Sequence, residues 1–150
     1  MLNGVNVDSD RRYRVAMEPA ELWARISAVD GYQAWWPWLR EFDGNRLETG
    51  EVWRCLVQPP LPYTVRFAVA IVGVVADQSV SATITGDIAG SARLDISPTR
   101  AGCEVRLVSS LQPANLMLRT AALVARPLVR FGHNWVLDTG ARQITEQRVP

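Results

Sequence analysis

The chain has 150 residues, the usual size of one domain, and its 48% apolar and 21% charged residues are typical of a folded protein. Its 16 basic residues, all arginine, almost balance 15 acidic ones, so the net charge of +1 excludes a basic surface for nucleic acid. We expect one globular domain spanning residues 1–150, with residues 1–10 as a flexible N-terminus and no nucleic-acid partner.

The sequence lacks the motifs of a metal or cofactor site. Cys55 and Cys103 are far apart and neither has a partner at C-x-x-C spacing, while His133 is the only histidine. The segment from Gly86 to Gly90 lacks both a Walker lysine and a dinucleotide fingerprint, and it indicates a hairpin turn instead. We expect no metal and no cofactor.

No targeting or membrane-spanning segment is evident. Residues 1–10 have no cationic start and no apolar core, and the longest uncharged stretches, 68–76 and 107–118, are too short to cross a bilayer. We therefore expect a cytoplasmic protein with reduced thiols, neither exported by a signal peptide nor integral to a membrane.

The first third of the chain predicts a strand followed by two helices. Residues 11–17 alternate as a short strand, and Pro19 stands at the expected first helical position with Glu21 in the first turn. This helix is expected to end near Val29. The aromatic segment 32–39 predicts a second, shorter helical piece that stops near Trp36, because Pro37 follows it.

From residue 41 to residue 112 the hydrophobic pattern changes to period two. Turn residues at 43–45, 49–50, 59–62, 77–78, 86–87 and 99–102 divide this region into six strands, each with one apolar and one polar face. An antiparallel sheet can leave one face in water, whereas parallel strands are apolar on both. Together with the strand at 11–17, the pattern predicts a seven-stranded antiparallel sheet.

After Pro113 the sequence predicts a long helix over residues 114–147, kinked or divided at Pro127. Bulky residues at helical spacing define one side of it, and that side is expected to lie on the concave face of the sheet. These residues are Val124, Leu128, Phe131, Trp135 and Asp138. Arginines 126, 130 and 142 and Glu146 lie largely away from that side.

The element order and three local motifs carry a family resemblance. The strand ending in Met17 runs into a P-x-E-x-W helix at residues 19–23, a W-W-P segment follows at 35–37, and residues 126–135 have the pattern of a terminal helix. In these features the chain resembles the polyketide cyclase/dehydrase branch of the START-related SRPBCC superfamily. The resemblance implies an α+β helix-grip fold, in which a curved seven-stranded sheet wraps around the C-terminal helix and two short helices separate the first two strands.

The resemblance also implies a ligand-binding hole between sheet and helix, which in relatives holds lipids, polyketides, hormones or other mostly apolar molecules. The inward-facing apolar residues predicted above can line such a site. The alternative is that they fill a solid core. The predicted ligand-binding residues are Trp35, Trp38, Trp53, Val57, Phe67, Val69, Ile71, Ile84, Leu94, Leu107, Val124, Leu128, Phe131 and Trp135.

Few polar residues are candidates for catalysis. His133 stands about 200° around the helix from Phe131 and from Trp135, so it is expected to point away from the sheet, as a surface or packing residue. The other candidates for inward polar groups are Glu51, Tyr63, Ser109 and Asp138, and no close spacing forces any two of them together.

The tryptophans at 35, 36 and 38 cannot all point inward, so at least one is expected to be partly exposed. They either form the mouth of the ligand site, with the stiff proline-rich loop 59–62 as its rim, or cap the end of the sheet.

Three hypotheses on function follow from these observations. The leading one is non-enzymatic binding, transport or sensing of a hydrophobic or amphipathic small molecule, lipid- or polyketide-like. The second is a polyketide cyclase, aromatase or dehydratase. The third is a protein-interaction module, with an exposed apolar patch around Trp36, Trp38 and Leu61. The protein is expected to be a monomer or a homodimer.

Overall fold

The computed structural model describes residues 7–60, 64–114 and 126–146, with the side chains of the terminal helix given for residues 132–144. Seven strands form one antiparallel sheet in the order β1-β7-β6-β5-β4-β3-β2, which confirms the predicted sheet. The strands are β1 Val7–Val15, β2 Leu39–Asp43, β3 Val52–Val57, β4 Val65–Val75, β5 Ser79–Gly86, β6 Ile88–Thr99 and β7 Gly102–Pro113.

Strand β1 begins earlier than predicted. It pairs with β7 from Val7 opposite Leu111 to Val15 opposite Cys103, so residues 7–10 are strand and not a flexible N-terminus. Val7 and Ser9 are buried, whereas Asp8 and Asp10 are exposed. This alternation continues the period-two pattern of residues 11–15, which is why the strand extends through the charged residues.

Each of the strands β2 to β7 pairs with its neighbour in sequence. The predicted alternation holds on β4, where Val65 and Ile71 are buried on the concave face and Arg66 is exposed on the other. Val72, with 56% of its surface accessible, shows that the convex face also carries apolar side chains.

Two helical segments connect β1 to β2, as predicted. They are α1 (Pro19–Ser27) and, after a 3₁₀ turn at Val29–Gly31, the single-turn α2 (Tyr32–Trp35). The extended conformation of Glu18 and the proline that follows it start α1.

The C-terminal helix, α3, occupies Arg126–Glu146. The predicted helical residues 115–125 lie outside the described residues, so the effect of Pro127 stays a prediction. No helix within the described ranges is both long and apolar enough to cross a membrane.

Among the described residues, two of three clusters of buried residues contain one cysteine each, and these two lie towards opposite ends of the sheet. Cys55 packs with Val29, Tyr32 and Leu39 near α2, and Cys103 packs with Leu22 near α1. Both thiols are free and buried. Burial raises the pKa of the Cys55 thiol to about 12 and also raises the pKa of Cys103.

Both thiols are therefore expected to resist alkylation in the folded protein. With iodoacetamide at about pH 8.5, near the pKa of a free thiol, mass spectrometry should find both unmodified without denaturant and both modified in guanidinium. The variant Ser97→Cys, at an exposed position on β6, is the positive control and should react within minutes. Rapid modification of Cys55 without denaturant would contradict this burial.

Candidate functional site

A cavity with two compartments, both partly open, lies between the sheet and α3. Compartment one has a volume of about 210 Å³, and compartment two has a volume of about 310 Å³. Ala92, Leu107, Val136 and Leu137 line both, so the compartments are adjacent beneath the middle of α3. Each exceeds the roughly 150 Å³ of an engineered apolar cavity that binds benzene. Among the described residues the interior is not a solid core.

The strands supply most of the predicted lining. Compartment one contains Val57, Phe67, Ile84 and Leu107. Compartment two contains Trp38, Trp53, Val69, Ile71 and Leu94, again with Leu107. Trp38 immediately precedes β2; the other residues lie on strands, where period-two alternation places their side chains on the concave face, because every second residue of a strand points the same way. Their role in binding a ligand stays a prediction.

The remaining predicted ligand-binding residues are not among the described residues that line the cavity. Trp35 and Trp135 do not contact either compartment; Trp35 packs on Tyr32, with ring centroids 6.2 Å apart. Val124 lies outside the described residues, as do the side chains of Leu128 and Phe131.

The prediction of which side of α3 faces the sheet is wrong. The residues that line the cavity are Gly132, His133, Val136, Leu137, Gly140, Ala141 and Ile144. Trp135 instead packs edge-on against Trp38 at 6.4 Å, and the Asp138 side chain is 50% exposed. The prediction assigned the bulkiest residues to the sheet-facing side. Small and aliphatic residues occupy that side, and this leaves space between helix and sheet.

His133 consequently faces the sheet, contrary to the prediction. Its Nε2 atom lies 3.1 Å from the Ser109 hydroxyl oxygen on β7, and both residues line compartment one. Ser109 is only 5% exposed. The hydroxyl donates this hydrogen bond if Nε2 is unprotonated and accepts it if Nε2 carries the proton. Sequence reasoning identified Ser109 as an inward candidate but missed its partner.

The other polar candidates do not join this pair. Glu51 is half-buried at the start of β3 and does not line the cavity, and Tyr63 lies outside the described residues. Asp138 accepts a hydrogen bond of 2.7 Å from the Tyr13 hydroxyl and lies 3.4 Å from the Arg11 guanidinium.

Tyr13, which the sequence did not single out, connects β1 to α3. Its ring lines compartment two while its hydroxyl donates to Asp138. Burial, together with the Asp138 carboxylate, raises the pKa of Tyr13, so the phenol stays protonated at neutral pH. This pair fixes the position of α3 over β1.

Two tryptophans connect the aromatic segment to α3. Trp36 and Trp38 are stacked, with centroids 5.4 Å apart and planes at 25°. The Trp36 indole donates to the Gly140 carbonyl oxygen at 3.1 Å, and the Trp38 indole donates to Gln143 Oε1 at 2.9 Å. All three clustered tryptophans are half-buried, which confirms that they cannot all be fully inside. Trp36 and Trp38 line compartment two and hold α3 against it.

The remaining aromatic donors of compartment two also bond to protein. The Tyr32 hydroxyl donates to the Ile26 carbonyl oxygen, and the Trp53 indole donates to the Arg46 carbonyl oxygen at 2.9 Å. Burial raises the pKa of Tyr32, which keeps its hydroxyl protonated as a donor. Arg93, the charged residue in the described lining, donates to Asp95 and Ser81. The surface that compartment two offers a ligand is therefore mainly hydrocarbon and aromatic.

This chain is similar in fold to solved protein structures. No family model and no curated protein matches the sequence. TTHA0849 from Thermus thermophilus is similar in structure, with a TM-score of 0.76, 12% identity and 95% coverage of both chains.

Two further solved structures are those of named proteins. The di-domain ARO/CYC StfQ from the steffimycin biosynthetic pathway superposes with a TM-score of 0.73 and 13% identity over 93% of this chain and 49% of its own. Norcoclaurine synthase of Thalictrum flavum, in complex with a transition-state analogue, gives a TM-score of 0.68 and 12% identity over 97% and 96% of the two chains.

Sheet order, terminal helix and the cavity between them together define a helix-grip domain. The predicted fold is confirmed.

Proposed function

We propose that this protein binds a hydrophobic or amphipathic small molecule, lipid- or polyketide-like, in the cavity beneath α3, as a carrier or sensor. The observation that supports this function is the pair of adjacent apolar compartments. Binding there removes apolar ligand surface from water, which contributes about 0.8 kcal/mol per methylene before the costs of association.

The junction of the compartments offers a direct test of this proposal. Ala92 lines both compartments, so Ala92→Phe places a phenyl ring where they meet. We expect this variant to bind the neutral fluorescent probe N-phenyl-1-naphthylamine at least roughly tenfold more weakly than the wild type, in a fluorescence titration. Its thermal stability should be unchanged or higher, because filling a cavity adds contacts.

The matched control is Ala70→Phe. Ala70 lies on β4 between Val69 and Ile71, which both line compartment two, so its own side chain points to the convex face. This variant should bind the probe as the wild type does. Unchanged probe affinity in Ala92→Phe, or no binding of the probe by the wild type, would contradict the proposed site.

A second candidate is an enzyme of the cyclase, aromatase or dehydratase type. The Ser109–His133 contact in the cavity wall favours it, because a hydroxyl and an imidazole can transfer protons. Structural similarity to StfQ and norcoclaurine synthase shows that named enzymes share this fold. Turnover of a poly-keto thioester by the wild type, lost in Ser109→Ala, would distinguish this enzyme from a binding protein.

The interaction-module hypothesis receives less support. Trp36 and Trp38 are half-buried and bonded to α3, so these two residues do not form a broad exposed patch, and Leu61 lies outside the described residues. We further propose a cytoplasmic location, consistent with two free cysteines, and a monomer or homodimer.

A further inference from the structure

The two compartments differ in what their polar groups can still bind. In compartment two, the hydroxyls of Tyr13 and Tyr32 and the indoles of Trp36, Trp38 and Trp53 all donate to protein acceptors. Arg93, which also lines it, donates to Asp95 and Ser81. These donors are therefore already hydrogen-bonded to protein acceptors when a ligand binds in that compartment.

Ser109 in compartment one is different. A hydroxyl has one proton to donate and two lone pairs to accept with, and the contact with His133 uses one of these three. If Nε2 accepts, the oxygen retains both lone pairs; if Nε2 donates, the hydroxyl proton is left to donate. In either tautomer Ser109 has hydrogen-bonding capacity inside an apolar compartment.

Ser109 stands in the wall of compartment one. The residue is 5% exposed and lies on the concave face of β7, between Leu107 and Leu111, which also line compartment one. His133, one turn from Val136 and Leu137, fixes the hydroxyl from the helix side. A polar atom buried among apolar groups gains more from a hydrogen bond than one in water.

We propose that Ser109, positioned by His133, binds a single hydroxyl or carbonyl oxygen of the ligand. The hydrocarbon part of the same ligand extends past the junction at Ala92 into compartment two. The ligand class is then an amphipathic molecule with one polar end and an aromatic or aliphatic body, bound in one orientation. This inference rests on the proposed function, because it assigns a ligand class to that cavity.

The test compares two probes of nearly equal shape, naphthalene and 2-naphthol, by measuring their dissociation constants. In Ser109→Ala the affinity for 2-naphthol relative to naphthalene should fall roughly fivefold to tenfold, the effect of one lost hydrogen bond. The control is Ser110→Ala, whose hydroxyl bonds to the exposed Asp8 on the convex face. That variant should retain the wild-type ratio.

A second measurement requires no variant. His133 is the only histidine, so its imidazole gives one set of ring signals in a heteronuclear NMR spectrum of the whole protein. Addition of 2-naphthol should shift these signals, whereas naphthalene should mainly shift the indole signals of compartment two.

The outcomes separate this inference from the proposed function. If both probes bind but the imidazole signals respond equally to each and Ser109→Ala leaves the affinity ratio unchanged, the polar anchor is wrong and the apolar binding site stands. If neither probe binds the wild type, the proposed function fails and the anchor fails with it.

Discussion

Trp38→Ala is expected to release a bound apolar probe at least roughly tenfold faster than the wild type. Trp38 lines compartment two, is stacked on Trp36, and bonds to Gln143 of α3. Removing the indole opens a path between the aromatic segment and the helix. It should also lower the free energy of unfolding by about 2–3 kcal/mol, somewhat less than for a fully buried tryptophan. Stopped-flow displacement of N-phenyl-1-naphthylamine measures the release rate.

Trp35→Ala is the matched control for this change. Trp35 is also half-buried, but it packs on Tyr32 and Gly31 and lines neither compartment. Its loss should lower stability without changing the release rate. Equal acceleration in both variants would show that general loosening, and not a specific opening beside α3, controls release.

Gly90→Ala is expected to lower the free energy of unfolding by about 3 kcal/mol, which corresponds to a fall of roughly 6–12 °C in Tm. Gly90, on β6, has φ of +153°, and a Cβ atom there would overlap the carbonyl oxygen of Ser110 and lie 3.1 Å from the Cα of Leu111. Both contacts are with backbone, so β7 must shift beside Ser109. Calorimetry gives Tm, and probe binding should weaken together with stability.

Alanine substitutions at two other glycines distinguish the steric clash at Gly90 from the strain of its positive φ. Gly50 has φ of +97° with no atom within 4 Å of an added Cβ, so Gly50→Ala should cost about 1 kcal/mol from strain alone. Gly73 has no positive φ, and an added Cβ would come no closer than 3.9 Å, so Gly73→Ala should be nearly neutral. A Tm for Gly90→Ala close to that for Gly50→Ala would show that β6 and β7 separate without cost.

The strands were predictable because each has its own alternation of apolar and polar residues between turn residues. Turn residues such as those at 77–78 and 86–87 separate segments whose alternation is local, and the sheet follows by pairing neighbours. The start of β1 was missed because Asp8 and Asp10 resemble a polar tail in the sequence. In the folded chain they lie on the convex face, where Asp10 pairs with Arg106.

The rotation of α3 could not be predicted from residue size. The sequence places apolar residues on more than one side of this helix, and the usual rule assigns the largest of them to the core. That rule assumes a filled interior. Here Gly132, Gly140 and Ala141 face the sheet, and Trp135 packs sideways on Trp38. Glycine and alanine recurring on one helical side were the available signal for a cavity, and for the inward direction of His133.

The presence of a cavity depends on distances that no local pattern contains. The same concave residues, Phe67 and Leu107 among them, line either a hole or a solid core, depending on how far α3 stands from the sheet. That distance is set by contacts between remote parts of the chain, such as Tyr13 with Asp138 and Trp36 with Gly140.

The pairing of β1 with β7 has a consequence for biosynthesis. Val7 lies opposite Leu111, so the first strand leaves the ribosome about a hundred residues before its partner. Strands β2 to β7 can pair with their sequence neighbours as they emerge. Strand β1 stays unpaired until β7 is synthesised, and meanwhile its backbone can pair with non-native strands. The nascent domain therefore completes its sheet only late in translation, and the cavity beneath α3 can form only after that.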